Sequence, residues 1–192
     1  MRAPPAVDSP SRDAEDRAMT SRTQRPTPSL RFVRKALREL PQQIARIVEE
    51  FDLRAERWQP APGEWSGLQT VAFLLESERE DAPAVEAMVE RDGAPVPERR
   101  AHLVVEERDY AGSSMDHLMY DFYELRQNVL WALEYADEGG ADHTGQHPYR
   151  GTVTLAAYLR EMSDRDMEVL LALRTLTEAI EVAGVGAWRR PK

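Results

Sequence analysis

Charged side chains interrupt an apolar helical stripe near the end of the sequence, in the segment YLREMSDRDMEVLLAL. Alternating steps of four and three residues, which mark one face of a helix, predict a core-facing stripe there. The stripe consists of Leu155, Leu159, Met162, Asp166, Val169, Leu173, Leu176 and Ile180. Arg165 lies on the neighbouring line of the same helix. Either these charges are functional, or they are relics of a site, or the helix is exposed at this point.

The histidines form no recognisable metal-binding pattern. His143 and His147 are four residues apart, but Gly145 lies between them, so the helical spacing needed to aim both at one ion is absent. His102 and His117 have no partner at a recognisable spacing. The sequence has no cysteine, which excludes disulfides, thiolate metal sites and cysteine nucleophiles. It also lacks a phosphate-binding loop, a G-x-S-x-G elbow and an H-E-x-x-H motif.

An acidic run formed by Glu76, Glu78, Glu80 and Asp81 stands at the end of a predicted helix. Such charge runs are usually solvated, and we expect most of this one to face water. Glu76 is the exception, because it lies three residues after Phe73 on the same helical face.

Composition narrows the possible partners. The chain has 192 residues and a net charge of −9, without the basic footprint that phosphate-backbone binding requires, so we expect no nucleic-acid partner. No apolar run approaches the ~20 residues of a membrane span, and we expect no membrane partner. The N-terminus lacks the apolar core of a signal peptide, which favours a cytoplasmic location. Residues 1–27 are rich in proline, serine and charge and are predicted to be a disordered tail.

Two helices are predicted in the first half of the remaining chain. An apolar stripe from Val33 to Phe51 marks the first, with a kink or a break at Pro41. The second starts near Gly67, after Ser66 as its N-cap and Gln69 in a capping box, and continues into SERED until Pro83 interrupts it. Its middle is apolar nearly all round, which indicates a position inside a bundle.

Two more helices follow after long connections. Residues 91–113 are predicted to be a connection of unusual length, which is often functional. A third helix spans about 115–133, and a fourth starts near Thr152 or Thr154 and extends to about Leu176 or beyond. No strand-like alternation occurs, so the pattern predicts an all-α four-helix bundle over residues 28–185. The long connections allow a crossover topology, and an irregular α-helical domain is the alternative.

Three segments together resemble the DinB/YfiT-like family. PAPGEWSGLQTVAFLLESERE is similar to the entry of that family's second helix, and HPYRGTVTLAAYLREMSDRD is similar to its second signature. VVEERDYAGSSMDHLMYDFYELRQNVLWAL fits between them, and the resemblance covers about residues 30–176. It implies a four-helix bundle and a homodimer. Some members of the family are metal-dependent thiol transferases, and many have no assigned activity.

The resemblance also places the family's three metal-binding histidines on this sequence. Counted from Trp65 and Thr154, those positions hold Phe73, Arg165 and Val169. Phenylalanine and valine have no donor atom, and a protonated arginine repels a cation. We therefore expect no metal cofactor.

If the last helix is aligned with the family one residue earlier, different residues fall on its two metal-binding positions. This alignment places Asp164 and Glu168 at the two helical positions, and this carboxylate pair can hold a hard metal ion. The alternative expectation is therefore a divalent cofactor such as zinc or nickel.

The buried guanidinium implied by the resemblance requires a partner. We expect Glu76 to pair with Arg165, with Asp166 or Glu78 as the next candidates. The alternative is that Arg165 extends along its stem to solvent. Trp65, Glu76 and Asp166 are the candidate pocket residues.

These observations favour a non-catalytic, stress-related bundle that binds a small ligand or a partner. The alternative function is that of an enzyme, either a metal-dependent thiol S-transferase or a hydrolase-like protein with an unusual carboxylate-containing site.

Overall fold

The structure is a computed structural model that describes residues 30–135 and 142–186. The predicted tail at 1–27 lies outside the described residues. None of the helices in the two described ranges is long and apolar enough to span a bilayer.

Four long helices form a bundle, as the sequence predicted. They are α1 (Leu30–Val48), α3 (Gly67–Glu90), α5 (Met115–Tyr135) and α6 (Leu155–Ala183). Helix α3 packs against α5 and α6, and α1 packs against α6 and α5. Two short helices lie in the connections, α2 (Leu53–Arg57) and α4 (Ala101–Glu107). Helix α4 lies within the connection at 91–113, for which the sequence predicted no secondary structure.

A small sheet is the main departure from the purely helical prediction. It contains β1 (Ala94–Pro95), β2 (Thr144–His147) and β3 (Gly151–Thr154), in the order β1-β2-β3. Strand β1 pairs with β2 in parallel, and β2 pairs with β3 antiparallel. Strands of two to four residues are too short to show the alternation of apolar and polar residues that identifies a strand in a sequence.

The ends of α3 and α6 follow from their capping residues. Ser66 and Gln69 form the predicted capping box, because each side chain bonds the other residue's backbone N–H. Pro83 does not interrupt α3, which continues to its end with only the local loss of a backbone donor. Thr154 caps α6 by accepting from the N–H of Ala157.

Helix α1 continues through Pro41, so the predicted break does not occur. The apolar stripe predicted from Val33 to Phe51 is buried, but Phe51 lies beyond the end of the helix.

Two hydrophobic clusters make up the core, one in each half of the bundle. The first contains the N-terminal half of α3 and the C-terminal half of α6, where Leu75 and Val169 are buried. The second contains the opposite halves of the same helices, where Val85 and Met162 are buried. Between the clusters, the core-facing positions of α3, α5 and α6 carry charged side chains.

The sheet approaches α3 so closely that only glycine fits at position 145. A Cβ added to Gly145 would lie 2.3 Å from Cγ2 of Val96 and 3.0 Å from Sδ of Met88. We expect Gly145→Ala to lower the unfolding free energy by about 1–3 kcal/mol, because the well-packed neighbours must move. Gly112→Ala is the matched control, since no atom lies within 4 Å of its added Cβ. Equal urea denaturation midpoints for the two variants would contradict the close approach.

Candidate functional site

Most of the acidic run of α3 is buried and forms part of an ionic layer between the two hydrophobic clusters, and Glu80 is half-buried. Glu76 is 7% exposed, and Glu78 and Asp81 are 0% exposed. The prediction of a solvated acidic face is therefore wrong for Glu78 and Asp81, whereas Glu76 was the expected exception. Glu78 and Asp81 face inward because they continue the four-three spacing of the apolar residues on either side of them.

Arg126 of α5 lies at the centre of this layer and is 1% exposed. Its guanidinium donates to both carboxylate oxygens of Glu78 at 2.7 and 2.8 Å, and to both of Asp166 at 2.6 and 3.1 Å. A fifth hydrogen bond joins its Nη1 to the carbonyl oxygen of Leu37 in α1 at 3.0 Å. All five donors of the guanidinium are thereby used, and the bonds reach α1, α3 and α6.

The carbonyl of Leu37 is available because of Pro41. In a regular helix, that carbonyl would accept from the N–H four residues later, but proline has no N–H. Arg126 supplies the missing donor. Pro41 thus leaves the carbonyl of Leu37 free to accept a hydrogen bond from the buried Arg126.

Arg126, Glu78 and Asp166 together carry one uncompensated negative charge. Burial raises the pKa of Glu78 above its ordinary value, although the neighbouring Arg126 opposes this effect. The pKa of Arg126 is raised, because Glu78 and Asp166 outweigh the opposing effect of burial on the guanidinium.

Arg165 is buried and pairs with Asp81, not with Glu76, Asp166 or Glu78 as predicted. Its side chain is 9% exposed, and its Nη2 donates a short hydrogen bond to Oδ2 of Asp81. The alternative prediction, in which Arg165 extends to solvent, is therefore also wrong. Asp81 is one turn further along α3 than Glu78, and its burial was not anticipated from the sequence.

Asp81 is held by three donors. Besides Arg165, its Oδ1 accepts from Nε of Arg99 at 2.8 Å and from the hydroxyl of Tyr158 at 2.5 Å. Burial opposes the ionisation of Asp81, but Arg165 and Arg99 outweigh it, and the pKa of Asp81 is lowered. Glu161 extends the cluster, because it accepts from Arg99 and from Arg150.

Glu76 belongs to a separate group of contacts. Its Oε1 accepts from Arg79 at 2.7 Å, from Arg108 at 3.0 Å and from the hydroxyl of Tyr110 at 2.9 Å. Burial and the hydrogen bond to Glu76 raise the pKa of Tyr110. Glu76 thus ties α3 to the connection after α4 and pairs with no residue of α6.

Two adjoining cavities lie beside the ionic layer, between α3 and α6. The larger has a volume of about 470 Å³ and is walled mainly by apolar side chains, and the smaller, of about 340 Å³, is more polar. Phe73 and Glu168 contribute to both. The larger is lined by Pro60, Glu64, Trp65, Thr70, Phe73, Glu168, Val169, Ala172, Thr175, Leu176 and Ala179. The smaller is lined by Phe73, Ser77, Arg99, Ala101, His102, Glu161, Asp164, Arg165 and Glu168.

The three positions carried over from the family resemblance lie on the walls of these cavities. Phe73 lines both, Arg165 the smaller and Val169 the larger. Trp65 also lines the larger one and packs on Phe73 with ring centroids 5.3 Å apart. Of the other two candidate pocket residues, Glu76 lines neither cavity and Asp166 is fully buried against Arg126.

Comparison with solved structures identifies the fold. The chain matches YfiT from Bacillus subtilis with a TM-score of 0.69 over 92% of this chain and 93% of that one, at 14% sequence identity. That protein is described as a probable metal-dependent hydrolase with an unusual four-helix bundle topology. The chain has the YfiT fold. No family model matches the sequence, and no curated protein matches it.

The residues of this YfiT-like bundle do not fit a metal ion at the three family positions. Phe73 and Val169 offer no donor, and Arg165 is a cation already bonded to Asp81. In the two described ranges, no group of three or more histidine and carboxylate side chains could hold a metal ion. Asp164 and Glu168 line the smaller cavity as a pair, with His102 elsewhere on its wall.

Two of the other histidines bond the backbone. Nδ1 of His147 accepts from the N–H groups of Tyr149 and Arg150. Nδ1 of His143 lies 2.9 Å from the carbonyl oxygen of Met88.

Sequence reasoning missed Arg126 and Arg99. Arg126 had a signal, because it continues the spacing of Phe122, Val129 and Leu133 along the buried face of α5. Arg99 had none, since it lies in an irregular segment between β1 and α4.

The Arg126 cluster predicts a contrast between single and combined substitutions. Arg126→Met leaves two carboxylates buried without a cation and should lower the unfolding free energy by about 3–5 kcal/mol. The triple variant Arg126→Met, Glu78→Leu, Asp166→Leu removes every charge and should recover most of that loss in urea denaturation. Adding Pro41→Ala to the triple variant restores a donor for Leu37 and should stabilise it more than the same change stabilises the wild type. A triple variant no more stable than Arg126→Met would contradict this account.

Glu78 and Asp81, two of the buried carboxylates of α3, should give opposite pH dependences. The raised pKa of Glu78 means that the folded protein binds more protons than the unfolded chain above the ordinary value of 4.5. The stability of the wild type relative to Glu78→Gln should therefore fall as pH rises through that raised pKa.

The contribution of Asp81 to stability depends on pH in the opposite direction. Its lowered pKa means that its contribution is present above the ordinary value of 3.8 and is lost as pH falls through the folded value. Stability relative to Asp81→Asn should therefore rise with pH between the folded pKa and 3.8. Urea denaturation at a series of pH values measures both differences, and the same sign for both would contradict the assignment.

Proposed function

We propose that this chain is a non-catalytic, YfiT-like bundle that binds a small organic ligand in the two cavities between α3 and α6. The observation that carries the proposal is the chemistry of the three family positions, where two hydrophobic side chains and an ion-paired arginine line the cavities. Such a set favours apolar and hydrogen-bonding contacts with an organic molecule over the coordination of a cation.

The walls of the larger cavity support this proposal. Trp65, Phe73 and Leu176 provide apolar surface, and Thr70 adds a hydroxyl group. Small-molecule sites are typically concave and mostly apolar, with a few polar groups that fix orientation. We propose a stress-related role and a homodimer only as extensions of the family resemblance.

The competing function is that of a metal-dependent enzyme, and one observation favours it. Asp164 and Glu168 line the same cavity, four residues apart on α6. A thiol transferase or hydrolase-like reaction would require this pair, or one of them with His102, to retain a divalent ion despite the nearby Arg165.

Metal analysis separates the two functions. Purified protein is incubated with zinc or nickel, dialysed and analysed by mass spectrometry, and we expect substoichiometric metal because the site has too few donors. Stoichiometric metal that is lost in Asp164→Ala or Glu168→Ala would support the enzyme and contradict the proposed function.

Calorimetry with a neutral probe tests the binding of an organic ligand directly. We expect 1-octanol to bind the wild type with one site and to lose that binding in Ala179→Phe, which fills the larger cavity. Val182→Phe is the matched control on the same helix, since Val182 is 91% exposed and lines neither cavity. Equal binding to both variants would place the probe elsewhere and contradict the site.

A further inference from the structure

We propose that the ligand carries a carboxylate group, which occupies the smaller cavity against Arg165 and Arg99, and an apolar body, which extends past Phe73 into the larger cavity. This inference rests on the proposed function and names the chemical class of its ligand.

The first argument is the incomplete hydrogen bonding of Arg165. Its guanidinium makes a single hydrogen bond, to Asp81, with the residues that the structure describes. Its Nε is buried and has no acceptor within the described ranges, and the same is true of Nη2 of Arg99. Arg126, in contrast, uses all five of its donors on protein oxygens. Buried donors without acceptors are unfavourable, and both arginines line the smaller cavity. A carboxylate that enters the cavity would therefore be stabilised once these two side chains turn their free N–H groups toward it.

The second argument is the charge of the hydrogen-bonded cluster around Asp81, of which Arg99, Arg165 and Glu161 line the smaller cavity. Three guanidinium groups, those of Arg99, Arg150 and Arg165, face two carboxylates, those of Asp81 and Glu161. Three positive and two negative charges leave an excess of one positive charge. A single ligand carboxylate would neutralise the excess charge of this cluster, which does not include the two further carboxylates on the cavity wall, Asp164 and Glu168.

The third argument selects a carboxylate over a phosphate. Asp164 and Glu168 also line the smaller cavity, and both are exposed at its rim. Asp164 lies 3.6 Å from Arg160, whereas no salt bridge joins Glu168 to another described residue. These two carboxylates would repel a dianion more strongly than a monoanion. A planar carboxylate also matches the planar guanidinium groups.

The fourth argument concerns the rest of the ligand. The cavities adjoin at Phe73 and Glu168, and the larger one continues along α6 past Val169 and Leu176. A molecule with its charged end at Arg165 can therefore bury an apolar chain against Trp65 and Phe73. Each buried methylene should tighten binding by up to about fourfold.

Calorimetric titrations with acetate, hexanoate, octanoate, inorganic phosphate and 1-octanol test the inference on the full chain. We expect affinity to rise from acetate to octanoate, at least tenfold tighter binding of octanoate than of 1-octanol, and no competition by phosphate. Binding of 1-octanol as tight as that of octanoate would overturn the inference that the ligand carries a carboxylate, and would leave the proposed function standing. Absence of binding by both octanoate and 1-octanol would overturn the inference and the proposed function together.

A conservative substitution assigns the charged end. Arg165→Lys retains the cation that pairs with Asp81 but removes Nε and the planar fork. We expect this variant to bind octanoate about tenfold more weakly and to bind 1-octanol with unchanged affinity. Its thermal midpoint should stay near that of the wild type. Arg174→Lys, at an exposed position on the same helix, is the matched control. Unchanged octanoate affinity in Arg165→Lys would overturn the role of Arg165.

Discussion

A single buried guanidinium group holds the four long helices together. Arg126 projects from α5 and bonds Glu78 of α3, Asp166 of α6 and the Leu37 carbonyl of α1. Its position in the middle of the bundle divides the hydrophobic core into two clusters. Hydrophobic contacts are non-directional and tolerate sliding of one helix along another. Five hydrogen bonds from one planar group fix the helices in a single register, at the expense of dehydrating three charges.

The charge of the layer is balanced between two clusters that meet on α6. The Arg126 cluster has one negative charge in excess, and the cluster around Asp81 has one positive charge in excess. Arg165 and Asp166 are adjacent in sequence and belong to different clusters, so the two excess charges are close in space. Arg165 accordingly acts on Glu78 and opposes the rise of its pKa. This proximity favours the buried charge of Arg165, which makes a single hydrogen bond with the residues that the structure describes.

Much of the fold could be predicted from the sequence, because the four-three spacing of apolar residues marks the long helices directly. The charged residues of the ionic layer follow the same four-three spacing. Glu78, Arg126 and Asp166 each occupy a core-facing position of their own helix, but only Asp166 was recognised as an interruption of a stripe. Charge runs are solvated in most proteins, so the acidic run was predicted to face water although Glu78 and Asp81 occupy core-facing positions of α3. Which buried cation meets which carboxylate depends on how the helices are arranged in space, and one sequence does not contain that information. The pairing of Arg165 with Asp81 could therefore not be predicted, nor could the short sheet.

The ionic layer also explains how a YfiT-like fold can exist with these residues at the three family positions. A metal ion bound between two helices would join them, and its loss would remove a crosslink. In this chain α3 and α6 are joined instead by Glu78, Arg126 and Asp166, and again by Asp81 and Arg165. These contacts involve neither Phe73 nor Val169. Phe73 and Val169 contribute to the bundle through hydrophobic packing in the first cluster. Arg165 differs from them, because the same side chain both joins the helices and lines the smaller cavity. Under the proposed function, binding at this position and stability of the bundle would be linked through one guanidinium group.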